Sequence, residues 1–352
     1  APLRALCEFT IRTFQGARGR KLTSLECHDL MCKIGESVVS GGVRRSALIS
    51  LSNLSDDRMR HAKDGNWRVE APHRQLANNS VAYTEKPDFA SFLREWTTLY
   101  HSYSGERGIF FRNAADRQVR RTGRRETGRD WGTNPCSEII LRPYQFCNLT
   151  SVVVRPEDTL DVLLRKVEQA TILGTIQATL TDFEYLRPIW KKNTDEEALL
   201  GVSLTGIMDH PQLSVVSETT RSWLRQMRLH AVKVNKEWAE KLGINPAAAV
   251  TCVKPEGTVS QLTDSASGLH PRYAPYYIRR VIGDVKDPLT TFMISQGIVY
   301  EDKDGSANEK LLLFPHKSPD GAICRNDRTA IEQLQHWAMM QEEWCEHKPS
   351  IT

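Results

Sequence analysis

Leu25, Leu30, Ile34 and Val38 recur at helical spacing behind Thr23 and Glu26, which form a capping box. The pattern predicts a helix running to about Val39, ended by Gly41-Gly42. Ala47, Ile49 and Leu51 then alternate in the two-residue period of a strand. A second strand is expected near Val81 and Tyr83. Phe89, Phe92, Trp96 and Leu99 form a helical stripe after Pro87, and Gly108 to Arg112 reads as the next strand. Ser151 to Val154 is a short apolar strand. Helices are predicted over 159–180, 218–242 and 328–344. The middle one carries Trp223, Met227, Ala231, Val234 and Trp238 on one face and stops at Gly243. Ala248 to Val253 reads as a buried strand feeding the turn Pro255-Glu256-Gly257-Thr258. This alternation of strands and helices indicates an α/β fold. No internal repeat or low-complexity tract interrupts it.

Length allows one large α/β domain or two smaller ones, since the chain has 352 residues. With 40% hydrophobic and 26% charged residues it has an ordinary globular composition. No apolar run is long enough for a membrane span, and the first residues lack a charged-then-apolar signal. The formal charge of +4 suits nucleotide phosphates without requiring a nucleic acid. The 8 cysteines are too sparse for a disulfide framework, which points to a reducing cytoplasm. Cys27-His28 and Cys345-Glu346-His347 lack a matched second pair, so no metal site is expected. Residues 114–131 are arginine-rich and lack the interleaved aromatics that stack on bases. They read as an exposed loop or fraying helix, not as a nucleic-acid surface.

The chemistry concentrates between Asn134 and Cys147. Asn134-Pro135-Cys136-Ser137-Glu138 sets an amide, a thiol and a carboxylate close together, and Cys147 adds a second thiol. Pro135 stiffens the turn that presents Cys136. Glu138 can take or give a proton beside it, and Asn134 can hold hydroxyls. Thiols that approach in space supply two electrons by closing a disulfide. The set suits a redox reaction on a hydroxylated substrate. In Pro255, Glu256, Gly257, Thr258, Val259 and Ser260, backbone N–H groups and the Thr258 and Ser260 hydroxyls suit a phosphate, with the Glu256 carboxylate turned away, although the residues alone fit an ordinary strand–helix turn equally well. Gly41, Gly42, Val43, Arg44, Arg45 and Ser46 combine glycine flexibility with cations that can stack on a base. By composition alone this last segment is also an ordinary helix-ending turn.

The 134–149 segment resembles the finger loop of ribonucleotide reductase catalytic subunits, and the wider chain resembles the adenosylcobalamin-dependent (class II) branch. The motifs appear in the family order: Ser40 to Ala47, Ala77 to Tyr83, Ser104 to Phe110, Leu200 to Gly206, Lys254 to Leu262, Ser267 to Tyr273 and Cys345 to Ser350. The resemblance implies a ten-stranded α/β barrel, with residues 1–352 as one catalytic domain and a finger loop over about 133–148. It implies that Cys136 becomes a thiyl radical and removes the 3′-hydrogen of a ribonucleoside di- or triphosphate. Glu138 would take the 3′-hydroxyl proton, Asn134 would hold the ribose hydroxyls, and Cys147 would end as half of a disulfide. The 41–46 segment would carry specificity information to the substrate.

The resemblance further implies adenosylcobalamin, a nucleoside triphosphate effector, a thioredoxin-type reductant and deoxyribonucleotide supply for DNA synthesis. Relative to the family, the expectation is that the effector region, the strand bearing the partner of Cys147 and the cysteine-bearing C-terminal tail lie outside this chain. A separate N-terminal fragment is then a possible partner. Alternatives are a class I large subunit that draws its radical from a metal subunit, and a non-catalytic split-gene half. Tyr276-Tyr277 would be barrel-wall residues and His270 a structural histidine.

Overall fold

The computed structural model describes residues 2–40, 43, 44, 46–306 and 308–351. It divides into two compact units, one of 1–118, 127–136 and 140–143, the other of 119–126, 137–139 and 144–352.

In the first unit the capping box forms as expected: Thr23 Oγ1 accepts from Glu26 N, and Glu26 accepts from Thr23 N at 2.8 Å. The helix is Ser24–Ser37, two residues shorter than predicted, because Val39–Ser40 already pairs as a strand with Val43–Arg44. A parallel sheet follows in the order Leu48–Ser52, Ala77–Tyr83, Gly108–Phe111. All three strands lie where the sequence reading placed them.

The helix Phe89–Ser102 also forms, capped by Asp88, but its apolar stripe divides. Phe89 and Trp96 face outward at 78% and 54% exposure, while Glu95 is 3% exposed. Two guanidinium groups account for the buried carboxylate. Arg107 bonds it at 2.9 and 3.0 Å, and Arg60 at 2.8 Å. Burial opposes ionisation, but these bonds outweigh it and hold Glu95 below its ordinary pKa.

The second unit is built on a wholly buried strand, Leu200–Thr205. Asn148–Val153 pairs with it in parallel on one side. On the other side residues 249–253 run alongside, with bonds Leu200 N to Ala249 O, Val202 N to Val250 O and Cys252 N to Val202 O. The predicted 248–253 strand is therefore an extended, bridged segment, joined beyond to Pro349 through Val253. Leu200, Val202 and Leu204 make one face apolar, while on the other face the buried Ser203 accepts from Lys254 N and the buried Thr205 donates to Ala266 O. Helices Leu160–Gln177 and Glu218–Leu242 pack here through Leu163, Val167, Leu224, Met227 and Ala231. Gly243 closes the long helix in the left-handed region at φ 69°, as its position predicted.

Two segments depart from expectation. The start of the 114–131 segment, read as an exposed loop or fraying helix, belongs to a helix, Arg112–Thr122, which also takes in the last residue of the expected strand. Its neighbouring arginines are structural. Arg121 donates to the carbonyls of Gln341, Glu342 and Cys345, Arg124 pairs with Glu346, and Arg125 is buried against Glu197. Tyr276 and Tyr277 do not line a parallel sheet. They begin Tyr276–Asp284, in an antiparallel sheet with Glu309–Lys317 and Tyr300–Asp302.

Candidate active site

The thiol-bearing loop is the tip of a hairpin. Gly132–Thr133 pairs antiparallel with Ile140–Leu141, and residues 134–139 span the gap. In the first unit, Asn78 Nδ2 donates to Pro135 O at 2.8 Å and ties the turn to the Ala77–Tyr83 strand. Cys136 is exposed and Asn134 half-buried. Ser137 then takes φ 64°, the left-handed conformation that turns the chain sharply after the thiol.

Glu138 and Cys147 belong to the second unit. Glu138 is 2% exposed, and its carbonyl accepts from Lys348 N at 3.0 Å. Ile139, fully buried, lies over Gly201, where an added Cβ would come within 2.9 Å of Ile139 Cδ1 and 2.4 Å of Leu149 Cδ2. That close approach explains glycine at this point of the buried strand.

Cys147 as a residue is partly exposed, but burial dominates at its sulfur. Burial, followed by the charge of Glu138, pushes its thiol up to about 12, with Lys254 opposing. Cys252 is fully buried, and its thiol is raised by burial, then by Glu138, Cys345 and Cys147. Glu138, Cys147, Cys252 and Lys254 are thus one electrostatic cluster. Thiols held this high remain protonated near neutrality, which suits hydrogen donation better than thiolate attack. Sequence reading placed Cys252 only on a strand entering the phosphate turn. Lys348 was part of a motif without a role, because its pairing with Glu138 spans more than two hundred residues.

In the turn after this strand, Glu256 has φ 53° and is 4% exposed. Ser151 Oγ donates to its Oε1 at 2.6 Å, and Lys254 Nζ lies 3.8 Å from Oε2, so the carboxylate points into the protein. Gly257 and Thr258 are exposed, Pro255 and Val259 half-buried. Ser260 is wholly buried, and its hydroxyl accepts from Gln261 Nε2. Gly257 and Thr258 are therefore the groups this turn presents outward.

Of the 41–46 segment, Gly41, Gly42 and Arg45 lie outside the described residues. Val43–Arg44 forms the short strand noted above, and Ser46 Oγ donates to Gly35 O at 3.1 Å. His270 Nδ1 donates to Ser267 O at 2.8 Å, a bond that fixes the ring in the fold. Among the described residues no cluster of His, Cys, Asp and Glu is arranged to hold a metal ion, and no helix is long and apolar enough to cross a membrane.

No family model matches the chain. Curated relatives align with nearly all of it. The adenosylcobalamin-dependent ribonucleoside-triphosphate reductase of Levilactobacillus brevis is 30% identical over 373 residues, covering 96% of this chain and 48% of the relative. Proteins of the same name from Lactobacillus delbrueckii subsp. bulgaricus and Lactobacillus leichmannii are each 28% identical over 372 residues, covering 95% of this chain and 48% of the relative. The chain spans about half the length of the curated relatives it matches. A crystal structure of a B-12 dependent (class II) ribonucleotide reductase superposes with a TM-score of 0.77 at 24% identity, over 99% of this chain and 52% of that one. The chain shares that fold.

Proposed function

We propose that this chain is the catalytic core of an adenosylcobalamin-dependent ribonucleotide reductase, acting on ribonucleoside triphosphates. The observation that carries the reading is the hairpin: it presents Cys136 exposed at its tip and leads at once into a buried Glu138 that is electrostatically coupled to Cys147. The ten-stranded barrel, with residues 1–352 as one catalytic domain, is the architecture this reading requires.

Adenosylcobalamin brings its cobalt ligands in its own corrin ring. It therefore asks the chain for a reachable hydrogen donor, not for a metal cage. The exposed Cys136 thiol fits that need. When bound, the cofactor supplies the radical that this sulfur receives.

The remaining chemistry is assigned to the chain's own groups. The Cys136 sulfur takes the 3′-hydrogen of the ribose. Asn134 orients the ribose hydroxyls, the Glu138 carboxylate accepts the 3′-hydroxyl proton, a proton from the Cys147 thiol lets the 2′-oxygen leave as water, and Cys136 returns its hydrogen to the 3′-carbon once the sugar is reduced. With a second thiol, Cys147 closes a disulfide, which supplies the remaining hydrogen and the two electrons to the sugar. A thioredoxin-type dithiol reopens that disulfide, and a nucleoside triphosphate effector acts through the 41–46 segment. Gly257 and Thr258 receive substrate phosphate through their exposed backbone and hydroxyl. The setting is cytoplasmic. The arginines of 121–125 are bound to the protein itself, which favours this reading over a nucleic-acid surface.

The test is Cys136→Ser in the adenosylcobalamin holoenzyme. An alcohol O–H is too strong to yield its hydrogen reversibly, so deoxynucleotide formation is abolished while nucleotide binding persists. Deoxynucleotide formation by the serine variant would refute the assignment.

A further inference from the structure

Ser151 of the strand Asn148–Val153 pairs with Ser203 of Leu200–Thr205. Residues paired across neighbouring strands project to the same face, so the two hydroxyls lie side by side. It is the face on which Ile139 lies over Gly201, while Val152 and Leu204 turn to the apolar core behind. The hydroxyl face holds the start of the phosphate turn. Ser203 Oγ accepts from Lys254 N at 2.9 Å, and Ser151 Oγ donates to Glu256 Oε1 at 2.6 Å. Thr205, next along this face, accepts from Gly268 N at 3.0 Å.

Gly268 packs on the same turn. It has φ 55°, and an added Cβ would come within 2.3 Å of Lys254 O. Ser267 Oγ donates to Pro255 O at 2.5 Å. Lys254 and Pro255 are therefore held through their backbone, and Glu256 through its side chain. Glu256 needs that hold. Its φ of 53° lies in the left-handed region, which a residue with a Cβ keeps only where its surroundings impose it. Its side chain has no exposure, with Ser151 on Oε1 and Lys254 Nζ at 3.8 Å from Oε2. Relaxation of φ would draw the carboxylate off the serine and rotate Gly257 and Thr258, the exposed residues that follow.

We propose that Ser151 is a positioning residue for substrate phosphate: its hydroxyl latches the Glu256 carboxylate inside the protein, and the latch keeps Gly257 and Thr258 turned outward to the phosphate. The role rests on the reductase reading. The strand that carries Ser151 begins directly after Cys147, so the latch also sets the phosphate turn in register with the redox thiol.

The experiment compares Ser151→Ala and Ser151→Thr with the unsubstituted holoenzyme. It reads KM and kcat for the ribonucleoside triphosphate, and the inhibition constant of inorganic tripolyphosphate competing with it. Tripolyphosphate senses the phosphate contacts without base or sugar. In Ser151→Ala both KM and the tripolyphosphate constant are expected to rise about tenfold, the scale of one lost hydrogen bond to a carboxylate, while kcat at saturating nucleotide holds. Ser151→Thr keeps the hydroxyl, and its constants should lie near those of the unsubstituted enzyme. A merely structural serine would lower kcat or the folded fraction and leave KM and the tripolyphosphate constant in place. That result overturns the proposal, as does a threonine variant as weak as the alanine one.

Glu256→Ala adds a second check. Two side chains that share one bond do not act independently, so Ser151→Ala combined with Glu256→Ala should raise KM no further than Glu256→Ala alone. Effects that multiply would mean separate contributions and also overturn it. Should Glu256→Ala fail to fold, the alanine and threonine variants of Ser151 decide the matter by themselves. Cys136→Ser separates the two levels. Turnover by that variant defeats the reductase reading, whereas an inactive Cys136→Ser beside a Ser151→Ala enzyme of unchanged KM defeats only the latch.

Discussion

Ile139 fills the space that a side chain on Gly201 would need. A Cβ there would sit 2.9 Å from Ile139 Cδ1, 2.4 Å from Leu149 Cδ2 and 3.3 Å from Cys252 Sγ. The glycine thus seats the residue that follows Glu138. Gly201→Ala should destabilise the protein by roughly 1–3 kcal/mol, the usual cost of overpacking a filled core. It should also lower reductase turnover by displacing Glu138. Denaturant unfolding and a turnover assay check both. A variant that unfolds like the unsubstituted protein would show that Ile139 and Leu149 move aside freely.

The two thiols near Glu138 should separate in function. Cys147→Ser should halt multiple turnover while leaving the first radical steps intact, with substrate breakdown and base release as the signature. Cys252→Ala should keep turning over. Its thiol is fully buried and held protonated, which sets it apart from a thiol that a reductant can reach. Product counted per enzyme with dithiothreitol as reductant decides the matter. Loss of turnover in Cys252→Ala would make Cys252 the partner.

Legibility varied with the physical signal each element carries. The Ser24–Ser37 helix was readable because its cap is local: Thr23 and Glu26 bond each other across three residues. The Leu48–Ser52 strand was readable from apolar alternation, and Ala77–Tyr83 and Gly108–Phe111 from short apolar runs and family likeness. The Arg112–Thr122 helix was not. Its apolar residues are few, with Ala115 and Val119 buried, and Arg121 secures it by bonding the distant carbonyls of Gln341, Glu342 and Cys345. The divided stripe of Phe89–Ser102 has a similar cause: a carboxylate, Glu95, was buried because distant Arg60 and Arg107 meet it. Within the site, Asn134, Cys136, Glu138 and Cys147 were legible from spacing and family likeness. Gly201, Cys252 and Lys348 were not, since each matters through a contact far away in sequence.

Arg125 gives that contrast a measurable form. Its side chain is 1% exposed and bonds Glu197 at 2.8 Å, whereas Arg117 is exposed. Arg125→Met leaves a buried carboxylate without its cation and should cost about 3–5 kcal/mol. Arg117→Met should stay within about 0.5 kcal/mol. Equal effects in urea unfolding would return the whole segment to the solvated reading.

His347 predicts how stability depends on acidity. The ring is fully buried and bonds Leu200 O through Nε2, and burial, with Arg125 and Arg124 adding, pushes it down to about 3. In the unfolded chain a histidine takes up its proton near pH 6.5. Between these values the unfolded state binds the extra proton, so stability is full above the upper value and falls as pH drops toward the lower one. The span corresponds to roughly 3–5 kcal/mol by linkage. His336, pushed down to about 3 chiefly by burial, adds a second slope in the same window. His347→Gln keeps a donor for Leu200 O but cannot charge. Its unfolding free energy should therefore decline less steeply across this window, with the His336 part remaining. If the two proteins lose stability in parallel as the solution is acidified, His347 is not the group that resists its proton.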